Sequence, residues 1–330
     1  MPSIAELQSE FYNKEFYESW EKKELQLLAG DVAHAIEHHK LLGFIYEMMH
    51  RHEECVEHSE KAIALAKQKS DRADARVSIA RSHIFRKEIN MAIAQYLTAY
   101  DEDPDNEAVI EELGHCYRNS KDYDNGLHWY TLLSRQEGME AWAFTDMGDL
   151  YVEKKEYNKA IDCYKQALTF NEKYDDAVYG LGVAHTESGK GDEAMEYFRK
   201  ELEINPASAR ALYCIGLVYQ NKEDYYRALH HYTEALKIAP GFAEAYNNMA
   251  FIHLEMDGDI RTAIAEVEKA AELATDSQQR VLFYLNLSRL YNKIKDEEKH
   301  AYWKKKLMDQ LGFGGISFDD YDDDDGDVLK

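Results

Sequence analysis

The sequence predicts an all-α solenoid built from repeated antiparallel helix pairs, and three observations carry that reading. Helix breakers are scarce, with 17 Gly and 4 Pro among 330 residues, whereas sheet-rich and loop-rich chains spend these residues on turns. Small and aromatic residues recur in columns 34 residues apart, the signature of a stacked repeat. Between the columns, apolar residues fall at helical spacing.

The columns can be read position by position. Glycines stand at Gly114, Gly148, Gly182 and Gly216, and Ala80 and Ala250 extend the row at both ends. Twelve residues further come Ala92, Gly126, Ala160, Ala194 and Ala228, and four beyond those Tyr96, Tyr130, Tyr164, Phe198 and Tyr232. Three after each member of the first row stand His83, Tyr117, Tyr151, His185, Tyr219 and His253. Each unit resolves into two amphipathic helices. In the unit from Ala141, the first helix carries Phe144, Met147, Gly148 and Tyr151 on one face. A polar turn, Lys154-Lys155-Glu156-Tyr157, leads to a second helix with Ala160, Ile161, Tyr164 and Ala167 on one face. The small residues let the two helices approach closely and the aromatics fill the space beside them. Pro104, Pro206 and Pro240 are separated by 102 and 34 residues. They follow second helices, where a fixed φ and a missing N–H make a sharp stop.

This pattern resembles the tetratricopeptide repeat family, through its small-residue, aromatic and proline columns, from roughly Ile36 to Leu311. Leu113-Gly114-x-x-Tyr117 and Ile215-Gly216-x-x-Tyr219 with Ala228, Tyr232, Ala235 and Pro240 carry it most clearly. The ends depart from it. Gly43 and Tyr46 open a first unit 37 residues before Ala80, the seventh unit gains a residue around Asp257-Gly258-Asp259, and Ser288 stands 38 after Ala250. The resemblance implies a right-handed superhelical solenoid of about eight units across residues 31–311, with atypical end repeats capping the core.

Residues 1–30 form a separate N-terminal capping helix in this reading. Ser3-Ile4-Ala5-Glu6 fits a capping box and Ala29-Gly30 a C-terminal stop, with Phe11, Phe16, Trp20, Leu27 and Leu28 covering the first repeat. Residues 312–330 read as a disordered acidic tail. After Gly312, Gly314 and Gly315, seven aspartates fall within Asp319–Asp327, too many like charges to pack. Phe318 and Tyr321 give this segment the chemistry of a linear motif for a basic partner. It lacks the ligand spacing and closing Glu of an EF-hand.

Composition bounds the function. The chain carries 39 Lys+Arg against 63 Asp+Glu, a formal net charge of −24, which disfavours nucleic acid and anionic membranes as partners. Cys55, Cys116, Cys163 and Cys214 form no CxxC pair and read as reduced thiols of a cytoplasmic protein. There is no basic leader at Met1 and no apolar run of about 18 residues. His34 and His38 have the i, i+4 spacing of a metal-ligand pair, but no further ligands or HExxH accompany them; core or exposed histidines are the preferred reading, and His83, His185 and His253 read as core. GxSxG, Walker A and GxGxxG motifs are absent, and Gly189-Lys190-Gly191 falls in an inter-helix turn. The chain therefore reads as non-catalytic, with no metal and no cofactor.

The resemblance also implies a concave groove lined by the second, fifth, sixth, ninth, twelfth and thirteenth positions of each unit. By that count the third and fourth units present an acidic floor: Glu111, Glu112, Asp146, Asp149 and Glu153, with His115, Arg118 and Thr145. The fifth to seventh present Tyr179, Val183, Arg210, Tyr213, Leu217, Asn247, Asn248, Phe251 and Leu254, and the eighth adds Asn286 and Arg289. In this family an Asn at the position of Asn248 and Asn286 often bonds a peptide backbone, because an amide is both donor and acceptor. The lysine–asparagine clamp of heat-shock co-chaperones is missing. The expectation is a scaffold or adaptor holding a peptide or helix of a partner, with apolar anchors and basic residues. A regulator that docks on an enzyme and a subunit self-assembling through the N-terminal helix are the alternatives.

Overall fold

The computed structural model describes residues 14–30 and 34–312. Among them are seventeen α-helices and no strand. Helix α1 (Lys14–Gly30) precedes eight pairs. These are α2 (Ala35–Met48) with α3 (His52–Leu65), α4 (Lys69–Phe85) with α5 (Ile89–Glu102), α6 (Glu107–Asn119) with α7 (Tyr123–Leu133), and α8 (Glu140–Glu153) with α9 (Tyr157–Phe170). Then follow α10 (Asp175–Glu187) with α11 (Gly191–Ile204), α12 (Ala209–Asn221) with α13 (Tyr225–Ile238), α14 (Ala243–Asp257) with α15 (Ile260–Leu273), and α16 (Ser277–Lys293) with α17 (Glu297–Leu311). The described residues form two compact units, one ending at Glu172 and one beginning at Lys173.

The same device closes each pair. Cβ atoms placed on Gly114, Gly148, Gly182 and Gly216 would lie 2.4, 2.6, 2.4 and 2.5 Å from the rings of Tyr130, Tyr164, Phe198 and Tyr232. The ring of the second helix thus lies on the glycine of the first, closer than filling space beside it, and no Cβ fits between them. All four rings are buried.

The turn inside each pair has its own repeat. Lys87, Lys121, Lys155, Gly189 and Glu223 are all left-handed, with φ of 62°, 60°, 60°, 78° and 59°. The next amide turns back to a carbonyl five residues earlier, as from Glu156 to Tyr151 (2.8 Å). This is the Schellman stop usually made by glycine, here made mostly by lysine. Asn106, Asp122, Ser208, Asp224, Asp259, Asp276 and Asp296 cap the helices that follow them.

In the first unit, α1 docks on α2 through Tyr17, which is 2% exposed, together with Phe16 and Trp20 against Leu41, Phe44 and Ile45. Leu28 packs on Leu42, Tyr46 and Cys55, while Leu27 stays exposed, contrary to the covering role expected of it. Fully buried Glu24 meets His38 at 2.7 Å. The Ser3–Glu6 capping box, Phe11, and the acidic tail beyond Gly312 lie outside the described residues.

The histidines are taken up by local bonding. His38 turns to Glu24, His39 Nδ1 and His58 Nδ1 are 3.0 Å apart, and His34 is exposed. Burial, followed by the neighbouring His39, pushes His58 down to about 4. Among the described residues no three His, Cys, Asp or Glu side chains are grouped to hold a metal. His83 and His253 are half-buried rather than core: their imidazoles reach Glu88 (2.7 Å) and Glu266 (2.9 Å). His185, also half-buried rather than core, stacks on Tyr197, with ring centres 5.2 Å apart. The four cysteines are free thiols, with Cys163 the least buried.

Candidate protein-binding face

In the first unit, side chains 31 to 35 residues apart meet across the first helices of successive pairs. Arg81 on α4 lies 3.8 Å from Glu47 on α2 and 3.3 Å from Glu112 on α6. His115 on α6 approaches Asp146 on α8 at 3.5 Å. Arg118 binds Asp149 (3.2 Å) and Glu153 (2.6 Å) on α8, and the Tyr164 hydroxyl donates to Asp149 (2.6 Å). Six carboxylates, Glu47, Glu111, Glu112, Asp146, Asp149 and Glu153, thus share the face with Arg81, Arg118 and His115.

The floor is acidic but partly neutralised from within. Burial, reinforced by neighbouring Glu112, lifts the Glu47 carboxyl to about 7 against the opposing pull of Arg81. Burial raises Glu111 and Asp149 as well, and the bond to Asp146 raises His115. Thr145 is buried and bonds the Ala141 carbonyl on its own helix (2.8 Å), so it does not line the floor. Glu47 and Arg81 extend the floor beyond the two units first assigned to it. Their signal was available, since they occupy lining positions twelve and nine of the first and second units.

In the second unit the same face changes character. Tyr179 on α10 approaches the Cys214 thiol on α12 (3.7 Å) and carries the Arg210 guanidinium 4.5 Å above its ring. Arg210 is fully engaged by Glu201 (2.8 Å) and Asp176 (2.6 Å), so it is not a free cation for a ligand. Glu201, completely buried on α11, also accepts from Ser208 (2.5 Å). Nothing in the repeat columns marks Glu201 as Arg210's partner. The Tyr213 ring sits against Phe242 (4.6 Å) and Tyr232 (5.5 Å), and its hydroxyl accepts from Asn248 on α14 (2.9 Å).

The amides divide. Asn286 on α16 is 0% exposed and Asn247 on α14 is 6% exposed, and Asn286 donates to Asn247 at 2.9 Å. The expectation that they line an open groove therefore fails: both are buried against the neighbouring first helix, where Asn286 Oδ1 finds no hydrogen-bond partner among the described residues. Asn286 holds the unit position that Cys214 holds two repeats earlier, and Cys214 is buried too. Asn248, one residue along, remains half-buried. Val183, Leu217, Phe251 and Leu254 are also half-buried, with Val183 packed on the Ala194–Phe198 cluster and Leu217 and Phe251 on the Tyr232–Ile252 cluster. Arg289 is half-buried on α16.

One slot summarises both faces. The residue after each member of the Ala80–Ala250 column is Arg81, His115 and Asp149 in the first unit, then Val183, Leu217 and Phe251 in the second, while the end repeats hold Phe44 and Arg289 there. Rows of side chains at one slot of adjacent helices, partly exposed and apolar in one unit, make a surface suited to another chain.

Tetratricopeptide repeat models match residues 148–189, 175–208 and 209–242. Residues 148–242 carry tetratricopeptide repeats. The matched repeats span 95 of 330 residues, from Gly148 through Phe242. Repeats of this family are protein-interaction modules. Among solved structures, a crystal structure of MamA is similar at 26% identity and a TM-score of 0.42, over 50% of this chain and 97% of that one. A second MamA crystal structure gives 25% identity and 0.42, over 52% and 94%. MamA 41-end from Desulfovibrio magneticus RS-1 gives 16% identity and 0.43, over 52% and 96%. No curated protein matches the chain. No helix among the described residues is long and apolar enough to cross a membrane.

Proposed function

We propose that this protein is a non-catalytic adaptor whose second unit holds a peptide or helical segment of a partner against the first-helix face of α10, α12 and α14. The observation that carries this reading is the row Val183, Leu217 and Phe251, apolar and half-buried at one slot of three successive helices. Such a row offers anchor sites about one helix spacing apart, while Asn248 beside it can bond a backbone amide or carbonyl. Tyr213 and Tyr179 support the face from below, because their polar ends are already bonded. The first unit's face, with six carboxylates to two guanidinium groups, favours basic segments.

The test uses a phage-displayed random peptide library selected on the full chain. Enriched peptides should carry apolar side chains at helical or alternating spacing, and Leu217→Asp with Phe251→Asp should weaken them at least tenfold without lowering Tm by more than a few degrees. Equal binding to the folded double variant would exclude this face. A parallel Glu111→Lys, Asp146→Lys variant should lose peptides rich in Lys and Arg while keeping the apolar ones.

A further inference from the structure

The last helix pair differs in charge from the chain around it. Across residues 277–312 there are eight cationic side chains and four carboxylates, a balance of +4 in a chain of −24. On α17, Tyr302 and Lys305 are exposed and Lys304 and Lys306 half-buried, while Trp303 packs on the Ala243–Tyr291 cluster and Leu307 is buried. Lys306 Nζ lies 4.9 Å from the ring centres of Tyr302 and Trp303 and 5.6 Å from that of Tyr284 on α16. Tyr302 is 51% exposed. Among the described residues, Lys304, Lys305 and Lys306 have no carboxylate partner, whereas Arg81, Arg118 and Arg210 are each held by two or more.

We propose that this lysine–aromatic face of the last helix is the docking surface for the chain's own segment Phe318–Asp327. Charge complementarity selects that occupant: seven aspartates flank Tyr321 there, and carboxylates with an aromatic ring match lysines set among rings. Its attachment also selects it. From Gly312 to Asp319 the chain spans at most about 25 Å, while Lys306 lies only about 9 Å back along the helix. A segment tethered so closely has an effective concentration of about a millimolar, so even weak ion pairing keeps it on the face in preference to a dilute acidic competitor.

Zero-length carbodiimide coupling on the full chain tests this, since it joins an amine to a carboxylate in direct contact. Amide links from Lys304, Lys305 or Lys306 to Asp319–Asp327 are expected in the monomeric species. They should fall at least fivefold in 1 M salt, where the screening length is about 3 Å. They should fall equally when Asp322, Asp323, Asp324 and Asp325 are changed to Asn. Trp303 emission should shift with salt in the native chain and not in that variant. An aspartate decapeptide should bind the variant at least tenfold more tightly than the native chain. Tail links spread evenly over other lysines, links found only between two copies, or identical Trp303 emission and peptide binding in both chains would each overturn the assignment.

Discussion

Along the first helices, the slot that reads Arg81, His115 and Asp149 in one unit reads Val183, Leu217 and Phe251 in the other. The two units share the ring-on-glycine closure, yet what lies above the ring differs. Tyr164 sends its hydroxyl to Asp149 at 2.6 Å; the equivalent Phe198 has no hydroxyl and lies beneath Val183 in the same apolar cluster. A polar ring under a charged slot and an apolar ring under an apolar slot are consistent pairs. Ring and slot do not change together throughout, since Tyr232 keeps its hydroxyl beneath Leu217 by donating to Gln220 (2.6 Å), so one ring closure tolerates opposite surface chemistry.

The shared closure should give the largest effect, and the same one in both units. Tyr164→Ala and Phe198→Ala each remove a buried ring from its glycine and should cost about 3–5 kcal/mol in urea unfolding. A loss confined to one unit would break the equivalence of the two closures.

Next comes the charged unit alone. Glu47 titrates near 7 in the folded protein against an ordinary value of 4.5. A raised carboxyl favours folding while it is protonated, so this contribution is present below about pH 4.5 and lost as pH rises through 7. Glu47→Gln should therefore raise stability at pH 8 relative to pH 4, by roughly 1–3 kcal/mol. Thermal melts across that window check it, and a parallel shift at both pH values would separate Glu47 from the effect.

Exchanging ring chemistry sharpens the comparison directly. Phe198→Tyr places a hydroxyl under Val183 with no partner and should cost about 1–3 kcal/mol. Adding Val183→Asp should recover part of that loss in a double-mutant cycle. Tyr164→Phe removes one of Asp149's two partners and should cost about 1 kcal/mol. Additive costs in the cycle would mean that ring and slot are independent.

The smallest effect lies in the turns. Lys155 and Gly189 hold the same left-handed position, with φ of 60° and 78°. Lys155→Gly should be neutral to stabilising, and Gly189→Ala should cost about 1 kcal/mol. Differential scanning calorimetry of the two variants checks the sign.

Much of the fold was legible in the sequence because packing in a stacked repeat is set by neighbours at a fixed interval. Gly148 and Tyr164 recur with the period because every copy must solve the same close approach. The lysines at left-handed turn positions were not legible, since lysine has no intrinsic preference for that conformation and the Schellman bonds impose it. In the candidate site, the acidic and apolar halves could be read from residue type, but availability could not. Asn286, Asn247 and Arg210 look like ligand-binding groups in one dimension.

Sequence by itself determined the repeat period, the helix pairs, the small–aromatic contacts and the sign of charge along the chain, because these depend on residue type at fixed spacing. Tertiary structure alone decided which lining side chains remain open. Their partners stand 34 to 39 residues away on the next first helix, as Asp176 does for Arg210 and Asn247 for Asn286. Whether two such groups meet depends on the rotation and offset of adjacent helices, which hydrogen-bond geometry resolves only once they are packed.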